Sequence, residues 1–438
     1  MKPGGVASPA ESSRRSPDDV IVDWAESGVV VLTGAPEGPL VVPPGRAASV
    51  ARDLIVRLRR HVPHADALRG LDGGRLLAER AALMGLRRGG RVSAGGSCRL
   101  LPARDGWLAL SAPREDDRWL LGAAIGRELP EEWWPLIARW VRERPAGALV
   151  EAAAPLGVAL ARVGESAEPS GPAVIPSAPG GGMRRREDRP LLVVDFSALW
   201  AGPLCAHLLG SAGARVVKVE TPDRPDGARR GHRGFYDLLH SGHASVVLDP
   251  RLPEDRRAMA QLVRAADVVI ESSRPRALAG FGLDAAARVA AGTIWVSITA
   301  YGRDRDRVGF GDDVAAGAGL VAADPRDGSP LFCGDAVADP LTGITAAAAV
   351  LDAVAQGRGR LLDVAMSRVV AATLDGTSGR PARRGDALFG DEWFAETSRG
   401  ARTPVRGPLS RPLPPPAPPS GADTAAVLAS LGIGGPAK

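Results

Sequence analysis

A chain of 438 residues, 45% of them apolar and with a formal net charge of +5, carries enough buried-type side chain for two or three globular domains, which excludes a disordered or fibrous protein. Acids and bases are mixed along it, and no Lys/Arg block alternates with aromatics, so the charge does not indicate a nucleic-acid surface. Apart from Lys2, Lys218 and Lys438 every base is Arg, a compositional bias in a chain rich in Ala, Gly and Pro.

Residues 1–19 lack the apolar segment of a signal peptide and read as a disordered tail. Residues 20–164 read as a smaller α+β domain, with strand character in "VVVLTG" and "GWLALSAP" and helical character in "RAASVARDLIVRLRRH" and "GRLLAERAALMGL". Trp133, Trp134, Leu136, Ile137, Trp140 and Val141 recur near helical spacing, the pattern of a helix packed through its aromatic face. Residues 165–188 form a Pro/Gly/Ser linker. From 189 to 378, "LLVVDF", "ARVVKVE", "ASVVLD", "DVVIES" and "TIWVSI" alternate with helical patterns. Such runs suit strands buried on both faces, and the alternation predicts an α/β fold: a doubly wound, mostly parallel, Rossmann-like sheet. Residues 379–438 read as an extended Pro-rich segment and a short helix. No run of about 18 apolar residues is expected to span a membrane. Residues 27–40 and 318–331 echo one another, each running from Gly through apolar residues to Pro, an acid, Gly, Pro and Leu.

Cys98, Cys205 and Cys333 are odd in number and far apart, giving neither a disulfide framework nor a zinc spacing, and they fit a reducing cytoplasm. His232, His240 and His243 cluster without acids or cysteines at ligand spacing, so no metal is expected. In the first β-α-β unit, "LLVVDFSALWAGPLCAHLLGSAGARVVKVE", Pro203 suits the first turn of a helix, and the turn before it lies where doubly wound sheets hold ligands. Glu220 ends the second strand, where a dinucleotide enzyme keeps its ribose-binding acid, but the turn lacks the glycines of G-x-G-x-x-G. A dinucleotide-binding oxidoreductase is therefore one reading of this unit.

The stretch "LFCGDAVADPLTGITAAAAVLDAVA" holds Asp335 and Asp339, and Asp339 directly precedes Pro340. A residue before Pro is pushed out of the α region, so Asp339 is expected as the N-cap of an Ala-rich helix with Pro340 as its first residue. Amide donors and the helix dipole would hold a carboxylate there ionised, which serves a cap and a nucleophile equally.

Five motifs in order resemble the family III CoA-transferases: "DFSALWAGP", "GARVVKVE" and "ADVVIE", then "GFGLD", then "ADPLTG" with its Ala-rich helix and "GRGRLLDVAM". The resemblance covers residues 190–375, with the Pro-rich strip and "ADTAAVLASLG" similar to the family's closing segment. It implies a CoA-transferase handling acyl-CoA and a carboxylic acid in a bacterial cytoplasm as a homodimer, with no membrane or nucleic-acid partner. It assigns the nucleophile to Asp339, four residues before Gly343, and leaves Asp335 as a loop acid whose removal spares exchange. Coenzyme A, brought as acyl-CoA, would border Trp200, Ala201, Ser272, Ser273 and Arg274. Where the family has cationic anchors the chain has Ser272 and Ser273 and, around His240 to Ser245, no Lys or Arg; Arg229, Arg230 and Arg274 are the replacement charges at hand. "GFGDD" at 309–313 lacks the His of the racemase branch. "RRGGRVSAGGSCRLLPARDGWLALSAP" (87–113) resembles the opening of the family's small domain, which places that domain N-terminal here. A non-catalytic acyl-CoA-binding relative is the other reading of the altered anchors.

Overall fold

The computed structural model describes residues 16–167, 171–183, 189–272, 275–384 and 392–434. The described chain opens on helices, among them α1 (Pro17–Ser27), α2 (Ala47–His61) and the short α3 (Glu79–Met84), with two single turns, Asp66–Arg69 and Gly73–Leu76, between the last two. Ser16 and Asp19 make a reciprocal capping box at the start of α1. The expected strand "VVVLTG" is instead a buried 3-10 turn, Val30–Leu32, because a short apolar run suits either state. Its echo partner does form a strand, Val321–Ala323, so the two stretches share no local structure.

Next comes a compact three-stranded antiparallel sheet of β1 (Cys98–Ala103), β2 (Gly106–Ser111) and β3 (Ala159–Arg162), with β1 and β2 joined by a tight turn at Arg104 and Asp105. It is covered by α4 (Asp117–Ile125), α5 (Trp134–Arg142) and α6 (Ala146–Ala153). Leu108, Leu110, Ile137, Val141, Leu149 and Leu160 form its own core. The expected aromatic face of α5 is half-buried: Trp133 and Trp134 stack at 4.1 Å, while Ile137 and Val141 go inside.

The large sheet follows. Its strands are β4 (Val174–Pro176), β5 (Leu192–Asp195), β6 (Arg215–Glu220), β7 (Ala244–Val247), β8 (Val268–Glu271), β9 (Ile294–Thr299) and β10 (Arg360–Ala365). The spatial order is β7-β6-β5-β8-β9-β10-β4, parallel throughout except for β4 against β10. The chain reverses direction of winding between β5 and β8, which makes that boundary the topological switch point of a doubly wound sheet. The edge strand β4 comes from the segment expected to be a linker: Val174 to Pro176 pair with Leu362 to Val364. Residues 168–170 and 184–188 of that segment lie outside the described residues.

Helices cover both sheet faces. One carries α7 (Ala201–Ser211) and α12 (Ala338–Gln356); the other carries α9 (Pro253–Ala265) and α14 (Thr424–Ser430). Between α7 and α9 lies α8 (Arg233–His240), with α10 (Ala285–Ala290) and α11 (Gly311–Gly317) ahead of α12 and α13 (Met366–Ala371) behind it. Gly343 lets α12 press on α7: an added Cβ there would lie 2.6 Å from the Ala201 carbonyl oxygen. By length and composition α12 is apolar enough to cross a membrane, which the sequence reading did not anticipate, but it is a mostly buried core helix between α2 and α7.

The cores divide residues 20–164 differently from the single domain expected. Trp24, Ala48, Ile55, Leu77 and Ala81 share one continuous core with α7, α12 and the large sheet, whereas the segment from β1 to β3 has its own. A helical layer built from residues 17–86 thus belongs to the body of the large sheet.

Candidate active site

Asp339 sits in the first turn of α12, which begins at Ala338 with Val337 as its flanking residue. The expected N-cap arrangement is therefore displaced: Asp339 is inside the helix, its amide donating to the Ala336 carbonyl at 2.9 Å. Pro340 is tolerated there because the first amides of a helix have no intrahelical acceptor. The helix starts early because the preceding loop is pinned. Ala336 occupies the left-handed region at φ 45°, and its amide donates to Asp312 Oδ1 at 2.9 Å. The Gly334 amide donates to Thr33 Oγ1 at 3.0 Å.

The two acids of the stretch have opposite fates. Asp335 is fully buried and takes a two-pronged bond from Arg80 of α3, at 2.8 and 2.6 Å. It is a buried clamp for a cation rather than a loop acid. Asp339 is the one residue between Leu331 and Pro340 that is not fully buried. Its carboxyl receives the Gly311 amide, and any side chain at Gly311 would overlap Oδ2.

Arg80 extends from Asp335 towards Asp312 and Asp339, and its guanidinium also lies 4.7 Å over the Trp200 ring. Three carboxylates thus gather around one cation. Burial pushes Asp339 up to about 7; the Arg80 charge opposes this, and Asp312 and Asp335 add to it. Asp312 is raised by burial and by Asp335. Asp313, which accepts from Ser111 Oγ at 2.6 Å and from the Phe310 amide at 2.8 Å, is raised by burial to about 7. Arg80 and Asp312 had no signal in the sequence reading: Arg80 is 255 positions from its partner, and Asp312 was noted only as standing where a racemase keeps another residue.

Of the residues expected to border coenzyme A, Trp200, Ala201 and Ser272 lie at the switch point. Ser272 Oγ, after β8, accepts from the Ala198 amide, after β5, at 3.1 Å. Trp200 and Ala201 are buried at 2% and 5% exposure, with the Trp200 ring edge-on to Phe235 at 5.2 Å. Trp200 is therefore a packed wall residue, because Arg80 and Phe235 occupy its face and edge. Ser273 and Arg274 lie outside the described residues. The turn after β5 rests on a buried ionic group: Lys218 lies 2.9 Å from Asp226 and 3.7 Å from Asp195, and donates to the Ser197 carbonyl. Asp226 in turn accepts the Leu199 amide at 2.9 Å, where Leu199 is left-handed at φ 71°. Glu220 is bound by the Arg229 guanidinium and by the Asp226 amide at 2.7 Å, so its carboxylate is not presented to a ribose. Arg229 is thereby taken up as a replacement anchor as well. The buried histidines that approach one another are His207, His240 and His243, with ring separations of 6.3 and 5.6 Å, and burial lowers all three, which keeps them neutral.

Two clefts open at the carboxyl edge, where open α/β sheets receive ligands. A cleft of about 710 Å³ beyond β9 and β10 is lined by Tyr301, Arg303, Arg305, Ser367 and Arg368. Arg303, paired with Glu271 at the end of β8, also lines a second cleft of about 370 Å³. Asp339 lines neither. Tyr301 connects the larger cleft to the acid group: its hydroxyl is buried without a partner among the described residues, and burial, followed by the Asp313 charge, raises its pKa.

Residues 190–390 match the model of CoA-transferase family III. The chain is 33% identical over 222 residues to the succinate–glutarate CoA-transferase of Agrobacterium fabrum, covering 44% of this chain and 55% of that one. It is 30% identical over 211 residues to the succinyl-CoA–D-citramalate CoA-transferase of Chloroflexus aurantiacus, covering 44% and 52%. The chain thus spans about half the length of these relatives. A CAIB/BAIF family protein from Brucella suis, 26% identical, covers 48% of this chain and 64% of its own at a TM-score of 0.42.

Proposed function

Residues 190–390 match the model of CoA-transferase family III, and from that match we propose that the chain moves CoA between an acyl-CoA and a carboxylic acid with Asp339 as the nucleophile. An Asp339 oxygen attacks the thioester carbonyl, the C–S bond breaks, and a mixed anhydride and CoA thiolate form. The thiolate attacks the aspartyl carbonyl and releases the first acid, leaving an aspartyl-CoA thioester. The incoming carboxylate attacks that thioester and expels thiolate. The thiolate then takes the new acyl group, and the Asp339 carboxylate is restored. Each step exchanges one acyl derivative for another, so the barrier is divided.

The observation that carries this reading is the contrast within one decapeptide: Asp335 is sealed on Arg80, while Asp339 is its one partly exposed residue. Gly311 holds the carboxyl from behind and Arg80 supplies a cation beside it. Gly343 supports the site by helix packing, since its amide lies inside α12. CoA along the switch-point turn, with Trp200 as wall and Ser272 beside it, is part of the proposal, as are a cytoplasmic setting and a homodimer.

The test is mass spectrometry after incubation with a panel of acyl-CoAs. A hydroxylamine-sensitive CoA adduct on the peptide containing Asp339, absent from Asp339→Ala, is expected. One observation favours a non-catalytic acyl-CoA-binding role: the large clefts do not include Asp339. Tight CoA binding with no adduct from any donor would establish that role instead.

A further inference from the structure

A second cleft, of about 540 Å³, lies at the opposite, amino edge of the large sheet, where β5 begins at Leu192 and β6 at Arg215. Four guanidiniums line it: Arg189, Arg215, Arg264 and Arg288. Among the described residues one carboxylate, Asp267, lines the cleft with them, and it is already engaged by Arg189 at 2.8 and 3.0 Å and by the Leu192 amide at 2.7 Å. Arg215 is steadied by a neutral group, the Ser430 hydroxyl at 2.9 Å. Arg264 stands exposed on the last turn of α9. Composition alone does not account for this, because the larger cleft at the carboxyl edge balances Arg303, Arg305 and Arg368 with Glu165, Asp304 and Asp363.

We propose that the amino-edge cleft binds a small anion carrying a diphosphate, held by Arg215 and Arg264, with Arg189 fixed behind them by Asp267 and Arg288 on the wall. Guanidinium forks match phosphate oxygens in pairs, and a concave wall of one sign raises the local concentration of counter-charge. Pro190, Leu192, Ala265, Ala266 and Leu431 line the same space, which offers an apolar wall to the remainder of such a ligand. The strands separate this cleft from the Asp339 group, so it is a second site rather than an extension of the first.

The experiment is calorimetric titration of the full chain with inorganic pyrophosphate, before and after saturation with CoA. Saturable binding that persists under CoA, and that Arg264→Glu and Arg215→Glu each weaken about tenfold or more, is expected. Both side chains are exposed, so the variants should fold, and unchanged circular dichroism melts check this. Absence of binding, affinity in both variants unchanged from that of the unsubstituted chain, or displacement by CoA would overturn the assignment. None of these outcomes bears on whether Asp339 forms an adduct.

Discussion

Asp339 is held near 7 by burial and by two neighbouring carboxylates, against one guanidinium and one amide. A carboxylate attacks only when deprotonated, so adduct formation should rise with pH through about 7 and level off above it. Folding carries the opposite sign. The group starts from 3.8, so between there and about 7 the folded chain holds a proton that the unfolded chain has lost. Stability from this group is complete below the lower value and is lost as pH rises through the upper one. Asp339→Asn should therefore abolish the adduct yet stabilise the fold at pH 8, by about 1–3 kcal/mol, with little gain at pH 4; urea titrations at the two pH values check it. For Asp335, expected from sequence to be dispensable for exchange, the structure adds a role in stability. Asp335→Ala leaves the part-buried Arg80 guanidinium beside Trp200 without its two-pronged partner, so a loss of about 3 kcal/mol is expected in chemical denaturation. Which acid was solvated was not legible from the sequence. The Asp-Pro junction and the spacing to Gly343 marked the segment, but the cation that separates the two acids comes from α3, and no local pattern joins Arg80 to Asp335.

Among the elements, α12 does the positioning, and it does so through a glycine. Gly343→Ala would drive a methyl group to 2.6 Å from the Ala201 carbonyl oxygen and 3.0 Å from Leu204 Cβ, forcing α12 off α7. The expected cost is about 1–3 kcal/mol, read by thermal denaturation, together with slower adduct formation because the helix bearing Asp339 shifts. The elements that were legible share one property: their signal is local. The parallel strands declare themselves as β-branched runs, and the β1–β2 hairpin by its alternation around Asp105 and Gly106. The elements that were misread depend on distant partners. Val174 to Pro176 look like linker because a short edge strand needs β10 beside it. Val30 to Leu32 look like a strand because nothing in six residues distinguishes a buried strand from a buried turn. The start of α12 was misplaced for the same reason, its loop being fastened by Thr33 and Asp312.

At the scale of the molecule, both flanks of the sheet chain brace its middle. The Pro-rich strip runs past α3, where Arg411 binds buried Glu79 at 2.7 and 2.8 Å and also meets His207 of α7. Arg411→Ala should cost about 3 kcal/mol, since it strands a buried carboxylate next to the residue that holds the acid group; denaturant melts measure it, and faster proteolysis of the strip should accompany it. The helical layer on the other flank has a consequence for how the chain is made. Its apolar side, with Ile55, Leu58 and Leu77, is covered by α12 and α7. During translation about 250 residues separate the end of α3 from the start of α12, which at ribosomal speeds is roughly 12–50 s of synthesis. Until α12 emerges, a greasy surface made early lacks the larger part of its permanent cover, so the nascent protein should depend on a holding chaperone more heavily than a chain whose contacts are sequential neighbours.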